Sequence, residues 1–181
     1  QALLQKNLTL SIFSLLIFLI FLGGCARQLA PAPKPLPKPF PIITLAAVGD
    51  VSLVTKPTAD GKPGKEKSPF EDVKPALGKA DIAFCNLECA LSDGGVPADK
   101  DYVFRTSPNA AKNLKDAGFD VVSLANNHSL DYGRKALTDT MQALRLQGIA
   151  FVGAGQNLQA ARQKKVFTFG RGKHTTRVAF L

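Results

Sequence analysis

From residue 42 onward, short apolar runs alternate with stretches whose apolar positions recur at helical spacing. Residues 42–48, 81–87, 119–125 and 149–152 are such runs, each closed by polar or glycine residues. That pattern predicts four buried strands. A helix is predicted over 70–79, with Pro75 as an irregularity in its middle. A second runs over 107–117, with Ser107 as cap, Pro108 in its first turn and Gly118 as its stop. Over 131–147, Leu137, Met141 and Leu144 fall at helical spacing before Gly148, and 158–163 reads as a short helix. Segments 165–169 and 175–181 read as two further strands joined by a turn at 170–173. Polar loops fill 55–69 and 92–106.

Strand–helix–strand order predicts an α/β fold: a mainly parallel sheet with helices on both faces. In such sheets ligands sit beyond the carboxyl ends of the strands. The first strand ends in Asp50. The second ends in Asn86 and Glu88. The third ends in Asn126, Asn127 and His128, with Asp131 three residues on, and the fourth runs into Gly153-Ala154-Gly155. Three strands thus bring hard oxygen donors and one imidazole to one edge. That mixture suits Mn, Mg, Zn or Fe rather than a thiolate-bound metal. His128 is the candidate general acid, because an imidazole titrates near neutrality. Each residue taken alone also fits a turn or cap, and only their joint occurrence in one sheet argues for a site.

The first 41 residues follow a different pattern. Residues 8–22 contain twelve apolar side chains in fifteen and no charge, with Lys6 before them and Gly23-Gly24-Cys25 after. This is the layout of a secretory signal, shorter than the roughly 20 apolar residues of a membrane-spanning helix. Leu22-Gly23-Gly24-Cys25 resembles a bacterial lipobox in which Cys25 is lipidated. An uncleaved anchor is the competing reading, and both put the remainder outside the cytoplasm. Six prolines at every second position of 31–41 then exclude a helix or a central strand. They predict an extended spacer of roughly 34 Å at about 3.1 Å per residue, part of a tether over 26–41.

Composition adjusts this picture. The 181 residues are 45% hydrophobic, with 12 Phe and no Trp, and carry a net charge of +9. Disordered, collagen-like and disulfide-dense classes are excluded. Residues 1–41 hold four basic and no acidic side chains, so 42–181 retain only +5. No clustered basic face argues for nucleic acid; Lys62–Lys67 is interrupted by Pro63, Gly64 and Glu66 and reads as a solvated loop.

The residues Gly49-Asp50-Val51-Ser52-Leu53, Asn86-Leu87-Glu88, the run from Ser123 to Gly133 (SLANNHSLDYG), and Gly153-Ala154-Gly155 resemble the CapA family of bacterial capsule or poly-γ-glutamate synthesis proteins. The resemblance covers about 42–181. It implies a layered fold similar to calcineurin-like metallophosphatases. It also implies work on an extracellular anionic polymer, poly-γ-glutamate or capsule polysaccharide, by a metal-dependent hydrolase or transferase. The alternative is a non-catalytic scaffold in a polymer synthesis or export complex. By the resemblance, Asp50, Glu88 and Asn127 hold metal and His128 is the adjacent acid, with Asn86, Asn126 and Arg105 as substrate contacts. Two departures stand out. Ser52 occupies the position where metallophosphatases carry a His, and their later histidines have no counterpart before Leu181. The chain opens on Gln1 and stops in an apolar run, so it reads as the N-terminal part of a longer domain holding half a metal site.

Other residues keep plainer readings. Arg105 fits a substrate contact or a structural role. Asp131 and Tyr132 read as capping and orienting the following helix. Cys85 and Cys89 are awkwardly spaced for a disulfide and read as free buried thiols. His174 reads as a surface residue.

Overall fold

The computed structural model of the protein describes residues 42–54 and 68–181. The leader with Cys25, the proline tether and the Lys62–Lys67 run lie outside the described residues. Among the described residues, no helix is long and apolar enough to cross a membrane.

In chain order the elements are β1 (Leu45–Val51), α1 (Lys74–Leu77), β2 (Ile82–Leu87), β3 (Ala90–Leu91), β4 (Arg105–Thr106), α2 (Ala111–Ala117), β5 (Val121–Ser123), α3 (Gly133–Leu146), β6 (Ala150–Val152), α4 (Leu158–Ala161), β7 (Lys165–Arg171) and β8 (His174–Phe180). The protein is a mixed α/β structure. Strands β1, β2, β5 and β6 form a parallel sheet in that spatial order.

The helix ends follow local chemistry. Ser107 Oγ accepts from the Asn109 amide and starts a 3-10 turn, Pro108–Ala110, that feeds α2. Gly118 ends α2 at φ 102°, a left-handed conformation that glycine adopts without strain. Pro75 falls in the first turn of α1, where a missing N–H costs little, and the helix shrinks to one turn. The polar loop expected over 92–106 ends in a short strand that pairs in parallel with the residues just before the loop, Ala90 with Arg105 and Leu91 with Thr106. Thr140 Oγ1 of α3 accepts from the Leu91 amide at 2.8 Å and moors that pair to the helix layer.

Strand order explains the layering. It runs from β1 to β6 without reversing, so successive right-handed crossovers lay their helices on the same face. The core agrees. Ala83, Cys85 and Leu87 of β2, Val122 of β5 and Phe151 of β6 pack in one cluster with Leu77 of α1, Leu114 of α2, and Met141 and Leu144 of α3. Alternation along β2 sends Phe84 to the other face. There its ring stacks on Phe180 of β8 at 5.5 Å, and Phe167 of β7 meets Phe180 edge-on at 5.7 Å. The antiparallel β7–β8 hairpin therefore meets the second face, where the sequence pattern leads one to expect helices. A helix reaches that face only where the strand order turns back.

Strand β1 departs from expectation in a second way. It is largely exposed rather than buried, with Leu45 at 51%. Among the described residues it lies at the sheet edge and pairs with β2 alone.

Candidate functional site at the carboxyl edge of the sheet

The site begins with an irregularity in β1. Ala47 pairs with Phe84, but Asp50 pairs with Asn86, so three steps along β1 match two along β2. This bulge at 48–49 sets Asp50 beside Asn86, a device that re-aims a side chain at a sheet edge. Asn86 Nδ2 donates to Asp50 Oδ1 at 2.8 Å and to Glu88 Oε1 at 3.1 Å. Two carboxylates are thereby gathered around one amide nitrogen.

The turn after β5 joins this group. Asn126 Nδ2 donates to Asn86 Oδ1 at 2.9 Å and to the Leu87 carbonyl at 2.8 Å. Its Oδ1 accepts from the His128 amide at 2.9 Å. Ser129 Oγ donates to the Leu124 carbonyl and closes the turn. Asn126 thus ties the strand-end carboxylates to the backbone of His128. Its neighbour Asn127 is exposed, and no hydrogen bond joins its side chain to Asp50 or Glu88 among the described residues. Its carbonyl accepts from Lys100 Nζ at 2.8 Å.

His128 is buried, with its ring 4.4 Å from that of Phe104. Nδ1 sits 2.8 Å from Asp131 Oδ2. Asp131 is 1% exposed. Its Oδ2 also accepts from the Phe104 amide at 2.6 Å, and its Oδ1 pairs with Lys100 Nζ at 2.5 Å. Burial pushes this carboxyl upward. Lys100, the Phe104 amide and His128 together outweigh that and hold it below the usual carboxylate range. Asp131 therefore does not cap α3, whose N-terminus at Tyr132 has no side-chain cap. The expected capping role gives way to an internal one, because three donors surround the carboxylate once the loop before β4 folds back.

That loop is held tightly. Arg105 lays its guanidinium 4.1 Å from the centre of the Tyr132 ring and donates to the Gly94 carbonyl at 3.1 Å, a structural role. Gly95 lies at φ 91°, where a Cβ would run into the Tyr132 carbonyl oxygen. Only glycine lets the loop lie so close to the start of α3. Lys100, Asp101, Tyr102, Phe104, Asn127 and His128 then line an open depression of about 450 Å³.

The strand-end residues expected in the sequence thus fall into two linked groups. Asp50, Asn86, Glu88 and Asn126 form one hydrogen-bonded set; His128 and Asn127 border the depression. Sequence pattern alone assigns Asp131 to the start of α3 and gives Lys100 no role. The Asp131 signal was its three-residue spacing from His128; Lys100 had none. The first set offers the hard oxygen donors a divalent cation prefers, with an amide nitrogen between the carboxylates. Among the described residues no three His, Cys, Asp or Glu side chains gather as a metal group. The donors present fit one side of a cation site. Cys85 and Cys89 are free and buried.

Comparison with known proteins gives a consistent result. The family model for the bacterial capsule synthesis protein PGA_cap matches residues 44–181. The chain is 28% identical over 151 residues to the PGA biosynthesis protein CapA of Bacillus subtilis, covering 82% of this chain and 40% of that protein. It is 37% identical over 94 residues to the capsule biosynthesis protein CapA of Bacillus anthracis, covering 50% and 23%. A probable polyglutamine synthesis accessory protein of Mycobacterium tuberculosis is 42% identical over 91 residues, covering 50% and 24%. The chain spans less than half the length of these curated relatives.

Proposed function

Because the chain belongs to the bacterial capsule synthesis protein family PGA_cap, we propose that it acts in making, anchoring or trimming an extracellular anionic polymer of the poly-γ-glutamate or capsule-polysaccharide kind. In this reading Cys25 carries a lipid anchor, the proline tether spaces the folded part from the membrane, and the whole is held at the cell envelope.

The observation that carries a catalytic reading is the pair of carboxylates around Asn86 Nδ2. A donor group between Asp50 and Glu88 marks a point where positive charge is favoured. A divalent cation held by the carboxylate oxygens of Asp50 and Glu88 that Asn86 leaves open would polarise a carbonyl or phosphoryl oxygen of the polymer. Asn86 and Asn126 hold the carboxylates and the turn before His128 in one frame. The ionised Asp131 carboxylate can only accept, so its contact with Nδ1 favours the tautomer protonated there and leaves Nε2 to exchange a proton with a bound polymer link. Asp131 stabilises the imidazolium when it forms, and Lys100 balances the buried carboxylate. The reaction class is metal-assisted hydrolysis or transfer at an amide or phosphate link.

A second reading is supported by Ser52 at the position where metallophosphatases carry a histidine, and by the two-carboxylate donor set. The domain then serves as a binding scaffold within a polymer synthesis and export complex. Manganese and magnesium titration of the full-length protein, with Asp50→Asn and Glu88→Gln as controls, separates the two. Stoichiometric binding lost in both variants supports the catalytic reading; absence of binding by the unaltered protein overturns it. Polymer made in cells whose only copy carries His128→Ala, but lost on deletion of the domain, supports the scaffold. Fatty-acid labelling that survives Cys25→Ala would overturn the anchor.

A further inference from the structure

Beside β6, away from His128, lies a second concavity of about 270 Å³. Its floor is the Phe151 ring. Arg145 holds its guanidinium 5.0 Å from the ring centre, and Lys165 its ammonium 5.9 Å from it. Gln156, Asn157 and Gln163 complete the polar lining, and no carboxylate borders it. Neither cation has an ion-pair partner among the described residues. The contrast with Lys100 at the other depression is direct, since that ammonium is spent on Asp131.

Two features keep the cations in place without neutralising them. Both face one aromatic ring, whose π-face attracts positive charge. Arg145 also lies in the last turn of α3, where the partial negative charge of the helix end favours a cation. Gly155, just past the carboxyl end of β6, forms part of the wall. A Cβ there would collide with the Ala160 side chain and the Ala161 amide. The α4 segment therefore closes against the strand end only because that residue is glycine. Its Gly155 end reaches the carboxyl edge of the sheet, where Asp50, Asn86 and Asn126 lie, while Arg145, in the last turn of α3 just before β6 begins, lies toward the opposite end of that strand. Three strand spacings separate β1 from β6, about 14 Å in all.

We infer that the Arg145–Phe151–Lys165 concavity is a subsite for the anionic side groups of a carboxylate-bearing polymer strand that leaves this edge and follows β6. The inference rests on the proposed polymer function and adds which surface holds the strand outside the reacting link. Two unpaired cations and three amides over an aromatic floor give charge-assisted hydrogen bonds to carboxylates. The absence of acidic lining removes the repulsion that would turn such a strand away.

The test uses the full-length protein and a fluorescently labelled γ-linked glutamate octamer, with the γ-linked glutamine octamer as neutral probe. Anisotropy at physiological salt should show binding of the glutamate octamer only. The Arg145→Gln/Lys165→Gln double variant should weaken it by roughly tenfold or more. A Lys173→Gln/Arg177→Gln variant, which removes the same charge from the exposed β7–β8 hairpin, should bind like the unaltered protein. Equal weakening in both double variants overturns the inference in favour of diffuse charge attraction. Unchanged binding in Arg145→Gln/Lys165→Gln, or no binding by the unaltered protein, also overturns it. Polymer production in cells carrying Asp50→Asn reports on the proposed function independently. Loss there, with octamer binding that ignores Arg145 and Lys165, removes the subsite and leaves the function standing. A circular-dichroism melt checks that each variant is folded.

Discussion

His128 Nδ1 lies 2.8 Å from Asp131 Oδ2, three residues further along the chain. The carboxylate has no exposed side-chain surface, so the contact is shielded from water. Such a pair selects the ring tautomer and the ring orientation together. It also ties two segments far apart in sequence, because the same carboxylate takes the Phe104 amide and Lys100.

Asp131→Asn keeps the size of the side chain and removes its charge. The loss of its charge-assisted bonds should cost about 1–3 kcal/mol at neutral pH. The folded-state carboxyl is held below its ordinary value. Its contribution is therefore fully present above the unfolded value of about 4 and is lost as pH falls through the lower folded value. Urea unfolding of both proteins from pH 7 to pH 2.5 should show a stability gap that is constant to about pH 4.5 and then narrows.

Phe84→Ala removes the ring that stacks on Phe180. Phe84 is half-buried, so the expected loss is roughly 1–2 kcal/mol. The effect should be local. Amide exchange should speed up across the β7–β8 hairpin far more than in α3, which packs on the opposite face of the sheet.

Burial pushes the Cys85 thiol up to about 12, with Cys89 nearby adding to the effect. Burial also pushes Cys89 up to about 11, against the Leu53 amide hydrogen bond and with the Asp131 charge. Neither supplies thiolate at neutral pH. Iodoacetamide at pH 8 should leave the peptide containing both unmodified, and denaturant should make both react. Labelling of either in the folded protein would contradict this arrangement.

Gly153 adopts φ 78°, and a Cβ there would strike the Ala125 side chain. Gly153→Ala should destabilise the protein by roughly 2–4 kcal/mol through strain and overpacking at once. The midpoint of thermal unfolding should fall by about 4–16 °C for a domain of this size. An unchanged midpoint would mean that β5 and β6 separate more easily at their ends than the structure indicates.

The element order was legible in the sequence because it depends on local pattern. The Ser107 cap and the Gly118 stop both stand where the residue types put them. The convergence of Asp50, Asn86, Glu88 and Asn126 was legible too, since parallel strands deliver their ends to one edge. Less legible was which side chains meet there. Adjacent Asn126 and Asn127 have the same chemistry, yet only Asn126 reaches Asn86. The difference comes from the turn after β5, which Ser129 closes by bonding to Leu124 and Asn126. Asp131 reads as a cap until the loop before β4 supplies its partners.

By itself, then, the sequence determined the family, the strand and helix order and the chemistry brought to the sheet edge. Tertiary structure alone decided the layering, the exposure of β1, the bulge that aligns Asp50 with Asn86, and the burial of Asp131. The physical reason is the range of the interactions. Alternation, caps and turn residues act within a few positions. Strand order, register and the meeting of Lys100 with Asp131 depend on segments 29 to 37 residues apart, whose pairing leaves no periodic trace in the chain.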